Sequence, residues 1–228
     1  MLLSVRPLES RARGPEFRAR LADARLLLVF TPSVTDDPWG ALEAALPHVD
    51  VVQVRVKNAP DAVTEARATY DAALRVLEMA ADADCLVMVN DRVDVARALL
   101  PAGLAGVHLG EDDCPAVVAR GHLGPDALIG LSTHDARGVA NAFDEPVDCL
   151  GFGPCFPTTT KGYERGLGPE AAWAASQAAN VPLFPIGGID TTNAFELAQV
   201  GRAAVASSIL AARDPADAAR AIRSALEI

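Results

Sequence analysis

Gln53, Arg55 and Lys57 occupy alternate positions directly behind the apolar pair Val51-Val52. In an extended chain alternate residues share a face. An amide and two cations would therefore form one row at a strand's end, a surface suited to an anionic ligand. A charged edge facing water is the plainer alternative, and the apolar lead-in weighs against it. Asn90 and Asp91 follow a second apolar run, where Asp commonly caps the next helix and Asn commonly forms a turn. Glu111, Asp112 and Asp113 follow a third. Three acids in succession ordinarily make a solvated loop, but Asp113 paired with Asp91 could hold Mg²⁺, an ion that takes one or two carboxylates, several waters and phosphate oxygens. His108 reads as a packed or hydrogen-bonded histidine rather than a ligand, and Ser132 as a ligand contact or a helix cap.

Two further stretches suit phosphate. Pro154 to Gly162 carries Thr158, Thr159, Thr160 and Lys161 on a loop shaped by proline and glycine. It is not a P-loop, because GxxxxGK[ST] is absent. Gly187-Gly188 and Ala206-Ser207-Ser208 each close an apolar run and open a helical segment, where backbone N–H groups can grip a phosphate.

These residues need elements to hold them. Eight short apolar, β-branched runs alternate with longer Ala-rich segments of helical period. The strand candidates are Leu26–Thr31, Val51–Arg55, Cys85–Val89, Gly106–His108, Leu128–Leu131, Cys149–Gly151, Leu183–Ile186 and Ala203–Ala206. The helical period predicts helices over Trp39–Leu46, Ala62–Ala81, Val93–Leu99, Arg137–Phe143, Pro169–Ala179, Thr192–Val200 and Pro215–Leu226, with a weaker one after Asp113. Strands that are apolar throughout, each followed by a helix, predict a parallel sheet covered on both faces. Eight such units predict closure into a single (β/α)₈ TIM barrel. A doubly wound open sheet would need fewer strands. Residues 1–24, which carry Arg6, Arg11, Arg13, Arg18 and Arg20, read as a helical or partly disordered N-terminal extension, and residues 25–228 as one catalytic barrel domain. A transit peptide is disfavoured because Glu9, Glu16 and Asp23 interrupt the positive charge.

Composition narrows the function classes. The chain has 228 residues, is half apolar and carries a formal net charge of −10. That balance speaks against nucleic acid as a partner. No run approaches the roughly 20 apolar residues of a membrane span. Cys85, Cys114, Cys149 and Cys155 form no CxxC pair and no zinc-ligand spacing with histidine, so they read as small thiols of a cytoplasmic protein. A homo-oligomer is left open.

Taken in order, these motifs resemble the thiamine phosphate synthase family from about Leu26 to Ile209. Gln53-x-Arg55-x-Lys57 is followed by Asn90-Asp91 and by Gly106-Val107-His108-Leu109-Gly110 ending at Asp113. Ile129 to His134, Gly153 to Lys161 and Ile186-Gly187-Gly188-Ile189 complete the series. Each motif alone is only suggestive, and the combination is specific. The resemblance implies a transferase that condenses a hydroxymethylpyrimidine diphosphate with a thiazole phosphate, with Mg²⁺ as cofactor. It implies that Gln53, Arg55, Lys57 and Asn90 hold the diphosphate substrate, that Asp91 and Asp113 bind Mg²⁺, and that Ser132 contacts the pyrimidine. Thr158, Thr160, Gly188, Ala206 and Ser207 would grip the thiazole phosphate, and Lys161 would face the diphosphate. Arg55, Lys57 and Lys161 would offset the charge of the departing pyrophosphate.

Glu111 stands where the family usually has Gln, and the extra charge could tighten Mg²⁺ or repel diphosphate. Three rivals share parts of the pattern. A thiazole tautomerase would need neither the metal pair nor the full cationic row. A non-catalytic barrel binding thiamine precursors would need no leaving-group cation. Another phosphosugar enzyme of this fold would leave the Gln-Arg-Lys row unexplained.

Overall fold

The computed structural model describes residues 13–57, 61–158 and 165–227. Eight parallel strands alternate with an outer layer of helices. The strands are β1 (Leu26–Phe30), β2 (Val51–Val54), β3 (Leu86–Asn90), β4 (Gly106–Leu109), β5 (Leu128–Thr133), β6 (Cys149–Phe152), β7 (Leu183–Pro185) and β8 (Ala203–Val205). They pair in the order β7-β6-β5-β4-β3-β2-β1-β8, and a parallel bridge from Ile186 to Ala204 joins the two ends. The expected TIM barrel is thus closed.

The pleat divides the apolar residues into two cores. Leu26, Leu28, Phe30, Val52 and Val54 face outward under the helices, while Leu27, Val29, Val51, Met88, Leu128 and Phe184 fill the interior. Helices α1 (Gly14–Asp23), α2 (Pro38–Ala45), α3 (Ala62–Met79), α4 (Val93–Leu99), α5 (Ala116–Leu123), α6 (Ala136–Asn141), α7 (Pro169–Ala178), α8 (Ser207–Leu210) and α9 (Pro215–Ala225) follow the chain. Aspartates open four of them: the side chains of Asp37, Asp61, Asp135 and Asp214 each accept an N–H of the first turn.

Of the extension expected over residues 1–24 as helical or partly disordered, residues 1–12 lie outside the described residues and Gly14–Asp23 form α1. Phe17 and Leu21, four residues apart on one helical face, join Ala24 in the interior core and cover the end of the barrel opposite the strand C-termini. Arg18 ties α1 to the wall through Asp148, at 2.7 Å. Asp148 also accepts from Arg120 at 2.6 Å and from the Ile129 amide at 2.8 Å. Half a barrel away, Asp50 likewise takes Arg223 at 2.7 Å and the amides of Arg25 and Leu26 at 2.8 and 2.9 Å. A carboxylate just before a strand thus anchors its neighbour strand and an outer helix at two opposite points.

One element departs from expectation. The helix predicted over Thr192–Val200 is only a short 3₁₀ turn, Ala194–Leu197. Asn193 explains this: its side chain accepts from the Asp190 amide and donates to Gly188 O at 2.8 Å, holding the chain in a tight loop. Among the described residues no helix is long and apolar enough to cross a membrane. Cys85, Cys149 and Cys155 are buried, and burial pushes each thiol up to about 12, while Cys114 is partly exposed. The first three are packing thiols, in keeping with the reading of the cysteines as small buried thiols.

The Asp148 side chain is only 8% exposed, so its loss leaves two arginines without their carboxylate. Asp148→Asn is expected to lower stability by about 2–3 kcal/mol, below the 3–5 typical of fully buried pairs because Arg18 is 39% exposed. Asp71→Asn, which removes the exposed partner of Arg67, should leave stability nearly unchanged. Urea unfolding of both variants checks the contrast.

Candidate active site

The row read from alternation along the second strand is present at the barrel mouth. Gln53 is buried inside β2, and Arg55 and Lys57 continue beyond its end, both half-buried. Gln53 and Lys57 find neighbours at the end of the next strand. Gln53 Nε2 donates to Asn90 Oδ1 at 2.6 Å, and Lys57 Nζ donates to Asp91 Oδ2 at 2.7 Å. Asn90 is therefore held by a side chain across the sheet and does more than turn the chain.

Asp91 does not cap the following helix either. The cap position of α4 belongs to Arg92, and no side chain bonds there. Instead Asp91 adopts φ 63°, a left-handed conformation that Asp tolerates better than most residues, with its amide donating to His108 O at 2.8 Å. This turn aims the carboxylate over the mouth. From the next strand Asp113 reaches back, its Oδ2 accepting from the Gly110 amide at 2.7 Å. Of the three consecutive acids, Glu111 and Asp112 are exposed and only Asp113 turns inward.

Burial first, and then the hydrogen bond and charge of Asp91, raise the pKa of Asp113, while the Gly110 amide and Lys57 oppose the shift. The two carboxylates are thus near enough for the charge of Asp91 to act on Asp113, a placement that like charges resist. Two adjacent carboxylates beside open space fit an octahedral oxygen-seeking cation completed by water and phosphate. Among the described residues no three His, Cys, Asp or Glu side chains converge into a closed protein cage.

Below the charged rim lies a cavity of about 240 Å³. Leu27, Val29, Phe184 and Ala204 give it an apolar floor, and Gln53, Asn90, His108 and Ser132 a polar wall. Ser132 does not cap the next helix, since Asp135 does so through the Gly138 amide at 2.7 Å. Its hydroxyl meets His108 Nε2 at 3.0 Å.

The far wall is built from the ends of β6, β7 and β8. A Cβ on Gly153 would lie 2.1 Å from Ile186 O, so only glycine allows these strands to approach. Gly187 and Gly188 have φ 99° and 66°, and a Cβ on Gly188 would lie 2.4 Å from Pro157 O. Thr158, Gly188, Ala206 and Ser207 all line this side. Ala206 and Ser207 lead into α8, too short a helix to show a sequence period. Thr160 and Lys161 lie outside the described residues.

Two polar lining residues had no role in the sequence reading. Thr31 is buried in the cavity wall, and His134 Nδ1 meets Gly153 O at 2.6 Å. Ser208, expected with Ser207 at the phosphate grip, also lines the cavity. The signal for both missed residues was available: alternation from Leu27 through Val29 reaches Thr31, and alternation from Ser132 reaches His134.

Known proteins share sequence and fold with this chain. A family model described as thiamine monophosphate synthase matches residues 26–209. Thiamine-phosphate synthase of Gloeobacter violaceus is 41% identical over 215 residues, 92% of this chain and 60% of that protein. The chain therefore spans less than two thirds of that relative's length. Thiamine-phosphate synthase of Mycobacterium sp. strain KMS is 45% identical over 187 residues, 78% of this chain and 80% of its own. The solved structure of thiamine phosphate pyrophosphorylase from Pyrococcus furiosus superposes with a TM-score of 0.76 at 29% identity, covering 92% of this chain and 96% of that one.

Gly188→Ala is expected to distort the turn after β7, since the added Cβ meets backbone at 2.4 Å and φ is positive. If this turn grips a phosphate, as the sequence leads one to expect, affinity for a small phosphate monoester measured by calorimetry should fall roughly tenfold or more, the scale of one lost backbone hydrogen bond to an anion. Unchanged affinity would remove this turn from the anion-binding surface.

Proposed function

The chain belongs to the thiamine monophosphate synthase family, and we propose that it is a transferase joining a hydroxymethylpyrimidine diphosphate to a thiazole phosphate, giving thiamine phosphate and pyrophosphate. The observation that carries this reading is the paired arrangement on β2 and β3. Gln53 with Asn90 and Lys57 with Asp91 make adjacent contacts, and Asp113 stands against the second pair. An amide pair for a ring, cations for a diphosphate and carboxylates for a metal lie side by side above one cavity.

In this reading Arg55 and Lys57 bind the diphosphate, and Gln53, Asn90 and Ser132 hold the pyrimidine. Asp91 and Asp113 would hold Mg²⁺, which when bound would supply positive charge where the leaving pyrophosphate gathers negative charge. The bond between the pyrimidine methylene carbon and the diphosphate oxygen breaks, and its electron pair leaves with pyrophosphate. The thiazole nitrogen then gives its lone pair to that carbon, closing the new C–N bond.

Arg55 and Lys57 act electrostatically, since their charge faces the oxygens on which charge develops. No general base is required, because the attacking nitrogen carries no proton. The apolar floor of Leu27, Val29, Phe184 and Ala204 excludes water that would otherwise capture the methylene carbon. Thr158, Gly188, Ala206 and Ser207 bind the thiazole phosphate on the opposite wall, bringing its nitrogen toward the methylene. Thr160 and Lys161 take the parts that the family resemblance gives them, at the thiazole phosphate and the diphosphate.

Purified protein mixed with both substrates and Mg²⁺ should release pyrophosphate and form thiamine phosphate in equal amounts. EDTA should stop both, and Asp91→Ala should lower turnover by roughly 100-fold or more. Binding of thiazole phosphate without formation of either product would instead favour a tautomerase or a precursor-binding barrel.

A further inference from the structure

His108 lines the cavity, yet the proposed reaction gives it no part. It points inward from β4 and is only 8% exposed. Its ring lies across the neighbouring strands. A Cβ on Gly130 would fall 2.3 Å from His108 Nδ1, and a Cβ on Gly151 would fall 3.4 Å from both Cε1 and Nε2. Gly130 is the register partner of His108 across β4 and β5, and Gly151 is the partner of Ser132 across β5 and β6. Two glycines on successive strands thus form a bed on which the imidazole crosses one strand. At its far edge Nε2 meets Ser132 Oγ at 3.0 Å.

A serine hydroxyl has one proton and two lone pairs and rotates to suit its partners. A bond to a ring fixed by packing ends that rotation and leaves the remaining polar directions of Ser132 aimed at the cavity. Space filling alone does not require this arrangement. A phenyl ring would cover the two glycines equally well, and the helix after β5 already has its cap in Asp135. Across the cavity wall the Gln53–Asn90 pair spends one amide N–H on one carbonyl, so the Gln53 oxygen and the Asn90 nitrogen remain for a ligand. A fixed hydroxyl beside a fixed acceptor and donor suits a flat heterocycle that bears both ring nitrogens and an amino group.

We propose that His108 is a positioning residue that holds the Ser132 hydroxyl toward the cavity, where it selects the aminopyrimidine ring over the thiazole. The inference rests on the functional reading above and adds to it a determinant of which ring enters the polar side.

Calorimetric binding of the pyrimidine diphosphate and of the thiazole phosphate, each alone with Mg²⁺, tests this. His108→Phe keeps the ring and removes its nitrogens. It should weaken pyrimidine diphosphate binding roughly tenfold, the scale of one hydrogen bond, and leave thiazole phosphate within about twofold. Ser132→Ala should do the same, and the double variant should be no weaker than either single one. His108→Gln, whose amide reaches the position of Nε2, should recover most of the affinity, while His108→Asn, which reaches only Nδ1, should not.

Equal loss for both ligands, additive loss in the double variant, or no loss in His108→Phe would overturn the inference while the functional reading stands. If His108→Phe fails to fold, the Gln and Asn variants decide: equal affinities in the two would overturn it. Wild-type protein that binds no pyrimidine diphosphate would overturn the functional reading and this inference with it.

Discussion

A β-strand turns successive residues to opposite faces, and in a closed barrel one of those faces has nowhere to go but inward. Here the large side chains Leu26, Leu28, Phe30, Val52 and Val54 go outward, under the helices. The inward positions nearest the mouth are small or polar instead: Gly130, Gly151, Gly153, Ala204 and Ala206 beside Gln53, Asn90, His108 and Ser132. That asymmetry opens a cavity at one end of the interior while Phe17, Leu21 and Ala24 fill the other. Gln53, Asn90, His108 and Ser132 are therefore fixed by strand register.

Electrostatics decide what such a mouth can hold. The chain is strongly acidic, yet Arg55 and Lys57 face the same opening as Asp91 and Asp113. Asp91 answers Lys57 directly, and Asp113 is left against Asp91 with only an amide and the more distant lysine in its favour. A pair of carboxylates held this close gains from a cation, and a pair of cations beside it gains from an anion. A metal bound to a diphosphate satisfies both at once, whereas either alone leaves one pair uncompensated. In the proposed reaction that mutual requirement would tie binding of the metal to binding of the substrate that loses pyrophosphate.

Much of this was legible in the chain because the relevant signals are local. Eight apolar runs set the barrel, and alternation put Gln53, Arg55 and Lys57 on one face. Other features depend on partners distant in sequence. No local pattern tells that Asp91 faces Lys57 in place of capping a helix, because the choice rests on its left-handed backbone and on β2 lying beside β3. The closing role of α1 depends on the bore of the finished barrel. The predicted helix over Thr192–Val200 failed because Asn193 bonds to both Asp190 and Gly188, a loop network that outweighs helical period. Thr31 and His134 were within reach of the same alternation that found Gln53, had it been carried one step past each strand end.

The coupling of metal and diphosphate is tested most directly by calorimetric titration of Mg²⁺ into the protein with and without the pyrimidine diphosphate, in wild type and in Asp113→Asn. The account predicts one Mg²⁺ per chain, bound at least about tenfold more tightly when the diphosphate is present, and loss of that enhancement in the variant. Equal Mg²⁺ affinity with and without diphosphate, or enhancement that survives Asp113→Asn, would contradict it.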